Sequence, residues 1–459
     1  MSKANITTTN PATEEKINNF NYLSDAELEK SIKNCQEAFL DWKLETFEKR
    51  AEIIESIGKN LAKNKTELSK LMTQEMGKLL SQSEQEVDLC VGICNYTAKN
   101  GPENLKDEQR TLSNGTKGIV SYSPTGIIYG IQPWNYPSYQ VIRYAIVNLM
   151  AGNGVLLKHA SNVTGTGQLL EKIFTEAGLP KGLFKALIVS HEQSDTIIKN
   201  KHVRGVTLTG SSDAGRNIGK KATSQLKKVV LELGSNDAYV VLEDADIENA
   251  IKVCVQGRIY NNGETCIAAK RFVVVDKVYD AFKEGFVKAM KDIKVGNPLE
   301  KDTDMGPIAR KDLRTTLHEQ VEESVAKGAK ILCGGKIPDG RGYYYPVTVL
   351  ENVTPGQPAY DDELFGPVAA LIKAKDEKDA MRIANDSKFG LGGGIFSKDI
   401  EKAKNLAQNH FDTGMVFINT FGTANPSMPF GGVKDSGFGR EHGGFGIKEF
   451  VNIKSIVIG

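Results

Sequence analysis

The alternation of short apolar runs with amphipathic stretches constrains the fold of this chain more than any other feature. Between about residues 150 and 242, strand-like runs are separated by stretches such as the one containing Leu169, Leu170 and Ile173, which Gly178 and Pro180 bring to an end. Strands and helices in repetition are typical of a parallel, doubly wound sheet. The apolar runs are residues 155–157, 187–189, 206–209, 229–231 and 239–242.

The second half of the chain repeats this pattern. Strand-like runs near residues 272–275, 367–372 and 416–418 alternate with helical stretches near 278–291 and 310–327. A chain of 459 residues is too long for one hydrophobic core and predicts roughly three domain-sized units. The predicted fold class is therefore α/β, with two parallel-sheet domains and a smaller third part.

Two separate segments predict a small β structure outside these domains. A hairpin is expected near residues 106–124, where Asn114 and Gly115 form a tight-turn signal between two strand-like runs. The C-terminal run, residues 451–458, is also apolar and strand-like. A terminal strand of this kind often pairs with another chain.

Composition excludes several classes of function. The 58 basic and 57 acidic residues give a net charge of +1, so no nucleic-acid surface is predicted. No apolar run is long enough to cross a membrane, and residues 1–5 lack the apolar core of a signal peptide. The six cysteines are sparse and scattered, which favours a cytoplasmic location over a disulfide framework. Cys90 and Cys94 have no partner histidines at ligand spacing, so we expect packing rather than a metal site.

Cys266 is the first candidate for chemistry. It follows a glycine turn and precedes the β-branched run at 272–275, so it is expected on a loop that leads into a strand. A thiol in that place can face a cleft and act as a nucleophile once it is ionised. The alternative is a packing residue, because cysteine is among the most buried residue types.

Two polar residues stand where a sheet would bring them to its ligand-binding edge, and a third can donate to an oxyanion. Glu232 and Lys158 each follow an apolar run, and the carboxyl ends of parallel strands face the ligand crevice. Glu232 can serve as a general base and Lys158 can meet ribose or phosphate, although a surface salt bridge or a solvated lysine is the alternative. Asn135, beside Trp134, can donate to an oxyanion or cap the following helix.

Two further segments suit a dinucleotide. Gly210, Ser211 and Gly215 lie between a strand and a helix, where free backbone amides can meet a phosphate or simply form a turn. Glu363 can accept hydrogen bonds from a ribose diol, and Phe365 can pack against a flat ring.

Together these motifs resemble those of the aldehyde dehydrogenase superfamily. Pro-Trp-Asn, Thr-Gly-Ser, Glu-Leu-Gly, the Cys266 loop, Glu-Leu-Phe-Gly-Pro and Pro-Phe-Gly-Gly occur in the family's order over nearly the whole chain. The resemblance implies an oligomeric enzyme, a homodimer or homotetramer, with a dinucleotide-binding domain, a catalytic domain and a bridging arm. These would span residues 1–105 with 125–233, residues 234–444, and residues 106–124 with 445–459.

The resemblance also implies a role for each motif residue. Cys266 resembles the nucleophile, Asn135 the oxyanion donor, and Glu232 the base that activates the deacylating water. The implied reaction is attack of the thiolate on an aldehyde, hydride transfer to NADP or NAD, and hydrolysis of a thioester. Cofactor contacts are implied for Trp134, Lys158, Ser161, Gly210, Ser211, Gly215, Leu233, Glu363 and Phe365.

Within the superfamily the closest likeness is to succinate-semialdehyde dehydrogenases. Arg143 resembles the arginine that holds the distal carboxylate of the substrate in those enzymes, the alternative being a salt bridge on a helix surface. Tyr260 stands where some of them place a second arginine, and Ala268 where some carry a regulatory cysteine. Ser161 stands where a glutamate would favour NAD, so we expect NADP to be accepted.

Two residues depart from the family pattern. Ser235 replaces the second glycine after Glu-Leu-Gly, and its side chain is expected to crowd the nicotinamide or the movement of Glu232. Glu264 replaces a commoner glutamine, with little consequence expected.

Three other functions compete with this interpretation. An aldehyde dehydrogenase for lactaldehyde, aliphatic or a broad range of aldehydes would not need Arg143. A CoA-acylating enzyme would not need Glu232 to activate water. A non-enzymatic protein on this scaffold should tolerate the loss of Cys266, Glu232 or Asn135, and all three are present.

Overall fold

The structure is a computed structural model that describes residues 5–459. The prediction that the first residues form no signal peptide falls almost wholly outside this range. Strands and helices alternate through most of the chain, as predicted. The strands are β1 (Asn5–Thr9), β2 (Lys16–Asn21), β3 (Glu108–Thr111), β4 (Lys117–Pro124), β5 (Ile127–Gln132), β6 (Gly154–His159), β7 (Phe184–Ala186), β8 (Val203–Thr209), β9 (Lys228–Glu232), β10 (Ala238–Val241), β11 (Arg271–Val275), β12 (Lys330–Cys333), β13 (Thr348–Glu351), β14 (Val368–Ala374), β15 (Phe389–Gly390), β16 (Gly393–Phe396), β17 (Phe417–Ile418), β18 (Val433–Lys434), β19 (Gly437–Phe438) and β20 (Val451–Ile458).

Helices flank these strands, and several begin at a residue that caps the helix. Ser24, for example, caps the first helix by accepting from the amide of Glu27, and the Glu27 carboxylate accepts from the Ser24 amide. The helices are α1 (Asp25–Trp42), α2 (Phe47–Lys63), α3 (Lys65–Met76), α4 (Leu80–Asn104), α5 (Tyr139–Met150), α6 (Thr164–Glu176), α7 (His191–Lys199), α8 (Ser212–Thr223), α9 (Ile247–Ile259), α10 (Asp276–Lys291), α11 (Lys311–Ala326), α12 (Pro358–Asp361), α13 (Glu377–Asn385) and α14 (Ile400–Asn409).

The first sheet has six strands in the order β19-β9-β8-β5-β6-β7. The strands β5 to β9 are mutually parallel, and β19 is antiparallel at the edge. One face is covered by α2, α4, α5 and α6, and the other by α1, α7 and α8, each with its own apolar core. The predicted doubly wound parallel sheet is therefore confirmed.

The second sheet has seven strands in the order β12-β13-β14-β11-β10-β16-β17. All its pairs are parallel except β12 with β13. Helices α9 and α10 cover one face, and α11 to α14 cover the other. This is the second parallel unit that the alternation predicts.

A three-stranded antiparallel sheet, β20-β4-β3, stands apart from both. The predicted hairpin is confirmed: Gly115 has a φ of 82°, and its amide donates to the carbonyl of Leu112 at 2.9 Å. Strand β20 pairs with β4 along its whole length and leaves Ile453, Val457 and Ile458 exposed. These apolar side chains make β20 a suitable surface for association.

The chain returns to the first sheet near its end. Strand β19 lies within the stretch predicted for the catalytic domain, yet Gly437 and Phe438 pair with Glu232 and Leu231 of β9. Gly437 has a φ of 108° and approaches the Leu231 carbonyl too closely for a Cβ atom. This pairing brings the glycine-rich loop at 429–441 beside Glu232.

Within residues 5–459, none of the helices combines the length and hydrophobicity that a membrane span requires. The same part of the chain holds no group of three or more histidine, cysteine or acidic side chains arranged for a metal ion. All six cysteines are free thiols.

Candidate active site

The loop that carries Cys266 is shaped by an unusual turn. After α9, Asn261 and Asn262 take left-handed φ angles of 55° and 60°, which asparagine tolerates better than most residues. Asn261 Nδ2 donates to the carbonyl of Asn135 at 3.0 Å, and Asn262 Nδ2 donates to the carbonyl of Pro307 at 2.9 Å. The turn therefore fixes the position from which the thiol projects.

Asn135 lies against the same loop. It follows β5 and is buried, and its Nδ2 donates to the carbonyl of Glu264 at 3.0 Å. Gln140 Nε2 lies 3.5 Å from its Oδ1, which holds the amide with its nitrogen toward the loop. Because an amide nitrogen carries two hydrogens, one donor remains for an oxygen beside Cys266.

Glu232 ends β9 and is 2 % exposed, and neither carboxylate oxygen has a hydrogen-bond partner among residues 5–459. A Cβ atom on Gly431 would lie 2.8 Å from Glu232 Oε1, so glycine at that position makes room for the carboxylate. Burial and the nearby charge of Glu441 raise the pKa of Glu232 well above its usual range, against the effect of Arg143. A raised pKa suits a group that must accept a proton near neutral pH.

The thiol of Cys266 lies among charged groups from both sheets. Burial raises the pKa of Cys266 to about 12, while the positive charges of Arg143 and Lys270 act to lower it. The carboxylates of Glu363 and Glu232 act in the other direction. Burial therefore has the largest effect on the acidity of this thiol, and these four charged groups modify it.

Arg143 lies on α5 and is completely buried. Its Nε forms an ion pair with Glu441, and its terminal nitrogens lie 3.0 Å from Thr209 Oγ1 and 3.5 Å from the Tyr139 hydroxyl. The guanidinium also stacks 4.8 Å from the centre of the Phe430 ring. The salt bridge expected as the alternative on a helix surface is thus a buried one, and a substrate carboxylate would have to join or replace Glu441.

Glu363 is held in place by Ser235 and Lys270, which both contact the Cys266 loop. Its Oε1 accepts from the Ser235 amide at 3.0 Å and lies 3.2 Å from Lys270 Nζ. A Cβ atom on Gly234 would lie 2.6 Å from Glu363 Oε2, which explains the glycine there. The Ser235 hydroxyl is buried and donates to the carbonyl of Cys266. Its side chain therefore faces the nucleophile loop, and the expectation that it crowds the nicotinamide or the movement of Glu232 stays a prediction.

Trp134 and Phe365 form an aromatic pair between the two sheets. Their ring centres are 5.7 Å apart and the planes are nearly perpendicular, at 89°. This edge-to-face geometry is favourable for aromatic rings. The structure thus brings together two residues predicted separately as cofactor contacts.

A cavity of about 290 Å³ opens at the carboxyl end of β6. Lys158 and Ser161 line it, together with His191 and Arg310, which no sequence motif marks. Within residues 5–459, the ammonium group of Lys158 makes no hydrogen bond or ion pair, and burial lowers its pKa. A partly buried cation without an anion beside a serine hydroxyl fits a phosphorylated ribose.

The segment before α8 forms the N-terminal cap of that helix. Ser211 caps α8 by accepting from the Ala214 amide at 3.2 Å, and the Gly210 amide donates to the carbonyl of Glu232 at 3.0 Å. A Cβ atom on Gly215 would lie 2.5 Å from the Leu233 side chain, so Gly215 lets α8 pack on the sheet. Gly215 and Leu233 therefore have a packing role whether or not a cofactor binds beside them.

Two buried charged residues at the site were not predicted as functional. Glu441 pairs with Arg143, and Lys270 contacts the Cys266 loop. A signal for Lys270 exists in the sequence, because two successive cations, Lys270 and Arg271, directly precede the apolar run at 272–275. No local signal marks Glu441, since its partner is distant in the chain.

Comparison with known proteins identifies the family. The chain is 43% identical over 447 residues to the succinate semialdehyde dehydrogenase [NAD(P)+] Sad of Escherichia coli (strain K12), covering 97% of this chain and 96% of that protein. It is 40% identical over 457 residues to a succinate-semialdehyde dehydrogenase [NADP(+)] of Mycolicibacterium paratuberculosis, covering 99% and 97%. The crystal structure of succinic semialdehyde dehydrogenase from Streptococcus pyogenes in complex with NADP+ superposes with a TM-score of 0.97 at 36% identity, covering 99% of both chains. The aldehyde dehydrogenase family profile matches residues 1–456, and the chain belongs to that family.

Proposed function

We propose that this protein oxidises succinate semialdehyde to succinate with NADP+ or NAD+. The observation that carries the proposal is the placement of Cys266, Asn135 and Glu232 at one point where the two sheets meet, with the buried cation Arg143 beside them. The names of the relatives support the choice of substrate and cofactor.

In the proposed reaction, the thiol of Cys266 releases its proton to water, and the resulting thiolate attacks the aldehyde carbon. The oxygen of the resulting thiohemiacetal receives hydrogen bonds from Asn135 Nδ2 and the Cys266 amide, and losing such a donor typically costs about a hundredfold or more in rate. A bound nicotinamide supplies the hydride acceptor that converts this adduct into a thioester. Glu232 takes a proton from water, which then attacks the thioester and releases the acid and the thiol.

The cofactor is proposed to lie along the carboxyl edge of the first sheet. Lys158 and Ser161 would hold the phosphorylated ribose, and Ser211 with the start of α8 would lie near the pyrophosphate. Glu363 would accept hydrogen bonds from the second ribose. The remaining predicted contacts line the path between them: Trp134, Gly210, Gly215, Leu233 and Phe365. NADP is favoured because Ser161 places no carboxylate beside Lys158.

We further propose that the enzyme works in the cytoplasm as a homodimer or homotetramer. The exposed apolar side chains of β20, among them Ile453, Val457 and Ile458, support association through the arm. The free thiols support a reducing compartment.

The substrate is tested by comparing succinate semialdehyde with butanal. Removal of Arg143 alone would leave Glu441 buried without its cation, which is costly for any buried pair. The informative variant is therefore Arg143→Met combined with Glu441→Gln, and Arg143→Lys, which keeps a cation beside Glu441, is the matched control. Initial rates of NADPH formation should show a strong preference for the acid aldehyde in the parent and in the control.

In the double variant that preference should collapse, because kcat/KM for succinate semialdehyde falls while that for butanal changes little. Equal rates on both aldehydes in the parent would refute the semialdehyde assignment. A preference that survives in the double variant would refute the role of Arg143 alone.

A further inference from the structure

Lys270 is a buried cation with four acceptors around the nucleophile, the most distant being the Thr265 carbonyl at 3.3 Å. It is 2 % exposed, and its Nζ lies 2.6 Å from the carbonyl oxygen of Cys266, 2.8 Å from Ser235 Oγ and 3.2 Å from Glu363 Oε1. An ammonium group has three hydrogens, so this arrangement can use all of them. A cation enclosed in this way is held in one place relative to the thiol.

Ser235 also connects Glu363 with the carbonyl of Cys266. Its amide donates to Glu363 Oε1 at 3.0 Å, and its hydroxyl donates to the carbonyl of Cys266. The main chain of the nucleophile and the carboxylate of Glu363 are therefore joined both through Lys270 and through Ser235. The residue that departs from the glycine of the family pattern is thus part of a polar network.

We propose that Lys270 is a positioning residue that, together with Ser235, holds the Cys266 loop and the Glu363 carboxylate in register and keeps a positive charge beside the nucleophile. Holding Glu363 in place would help cofactor binding only if Glu363 is a ribose ligand, so this part rests on the function proposed above. The consequence for the thiol requires no cofactor and can be tested without one.

The charges around the thiol predict opposite effects for two substitutions. Lys270 lowers the pKa of Cys266 and Glu363 raises it. Removing the ammonium should therefore make the thiol less acidic, and neutralising the carboxylate should make it more acidic. The groups that face the thiol from the surrounding elements are Arg143, Lys270, Glu232, Glu363, Tyr136 and Tyr139.

The test is the pH dependence of Cys266 alkylation by iodoacetamide in the full protein without cofactor, followed by mass spectrometry of the Cys266 peptide. In Lys270→Met the profile should move to higher pH. At a fixed pH on the rising limb, the alkylation rate should fall about tenfold for every pH unit by which the profile moves. Lys270→Arg should restore most of the parent profile. Glu363→Gln should move the profile to lower pH.

Lys227→Met is the matched control for losing a buried lysine. Lys227 is also buried and donates to the backbone carbonyls of Ile198 and Asn200, away from the thiol. Its variant should keep the parent profile. A parent-like profile in folded Lys270→Met, or a displacement in the same direction for Lys270→Met and Glu363→Gln, would overturn the proposal.

If Lys270→Met does not fold, Lys270→Gln takes its place, and a parent-like profile in that variant overturns the proposal. The assay uses no aldehyde, so inactivity toward succinate semialdehyde would contradict the proposed substrate and leave this result intact.

Discussion

Replacing Glu264 with glutamine should stabilise the protein, by an amount that grows with pH. Glu264 is fully buried in the nucleophile loop; its Oε1 accepts one hydrogen bond, from the Ala309 amide at 3.0 Å, and its Oε2 has no partner among residues 5–459. Burial raises the pKa of this carboxyl well above its usual range, against smaller lowering effects of the Ala309 amide and Lys78. Burial therefore favours the protonated form of Glu264 in the native protein more than in the unfolded chain.

The native and unfolded states bind the Glu264 proton with different affinity, and this difference determines how stability changes with pH. An unfolded chain releases this proton near pH ~4.3, whereas the native state keeps it. Above that pH the native state binds one more proton than the unfolded state, so stability falls as pH rises, by about 1.4 kcal/mol per pH unit until the native pKa is reached. Glutamine can keep the Ala309 contact and has no such proton. The gain from Glu264→Gln should therefore be small near pH 4 to 5 and increase toward pH 8.

The assay is urea denaturation of the parent and the variant at several pH values between 5 and 8. Glu319→Gln is the control, because Glu319 is exposed on α11 and forms no ion pair within residues 5–459. Its free energy of unfolding should follow that of the parent at every pH. A gain in Glu264→Gln that is constant with pH, or that shrinks as pH rises, would refute the reasoning.

Three further substitutions test the site. Glu232→Gln should retain a first-turnover burst of NADPH in rapid mixing while steady-state turnover falls about a hundredfold or more, because hydrolysis loses its base; loss of the burst would contradict that role. Gly263→Ala should lower the melting temperature by several degrees, since Gly263 has a φ of 74° and a Cβ atom there would lie 2.5 Å from the Gly366 carbonyl carbon; calorimetry showing no change would argue against strain in this turn. Ser161→Glu should reduce kcat/KM for NADP at least about tenfold and spare NAD, because a carboxylate beside Lys158 repels a 2′-phosphate; equal losses with both cofactors would contradict the proposed ribose site.

The architecture and the ligand-binding edge could be predicted because both depend on local sequence. Apolar runs and helical spacing identify the parallel strands, and the strand ends then place Lys158, Thr209 and Glu232 along one edge. The hairpin was predictable for the same reason, since Asn114 and Gly115 specify a turn without help from distant residues. The roles of these residues in catalysis stay predictions until the variants are measured.

The ion pairs of the site could not be predicted, because they depend on contacts between distant parts of the chain. Arg143 meets Glu441 only because β19 returns to pair with β9. Lys270 meets Glu363 only because β11 and β14 are neighbours in the second sheet. No periodicity in the sequence reports such pairings, and a lysine or arginine considered alone is expected on the surface.

The pairing of charges explains why one carboxylate is suited to act as a base. Arg143 is matched by Glu441, and Lys270 is matched by Glu363. Breaking either pair would leave an uncompensated buried charge, which is strongly destabilising, so both carboxylates are committed to their cations. Glu232 is buried beside them, yet among the carboxylates facing the thiol within residues 5–459 it has both oxygens without a hydrogen bond. Because its pKa is raised and its oxygens are free, Glu232 accepts a proton from water more readily than the paired carboxylates do. Its position at the end of β9 places this base near the proposed thioester.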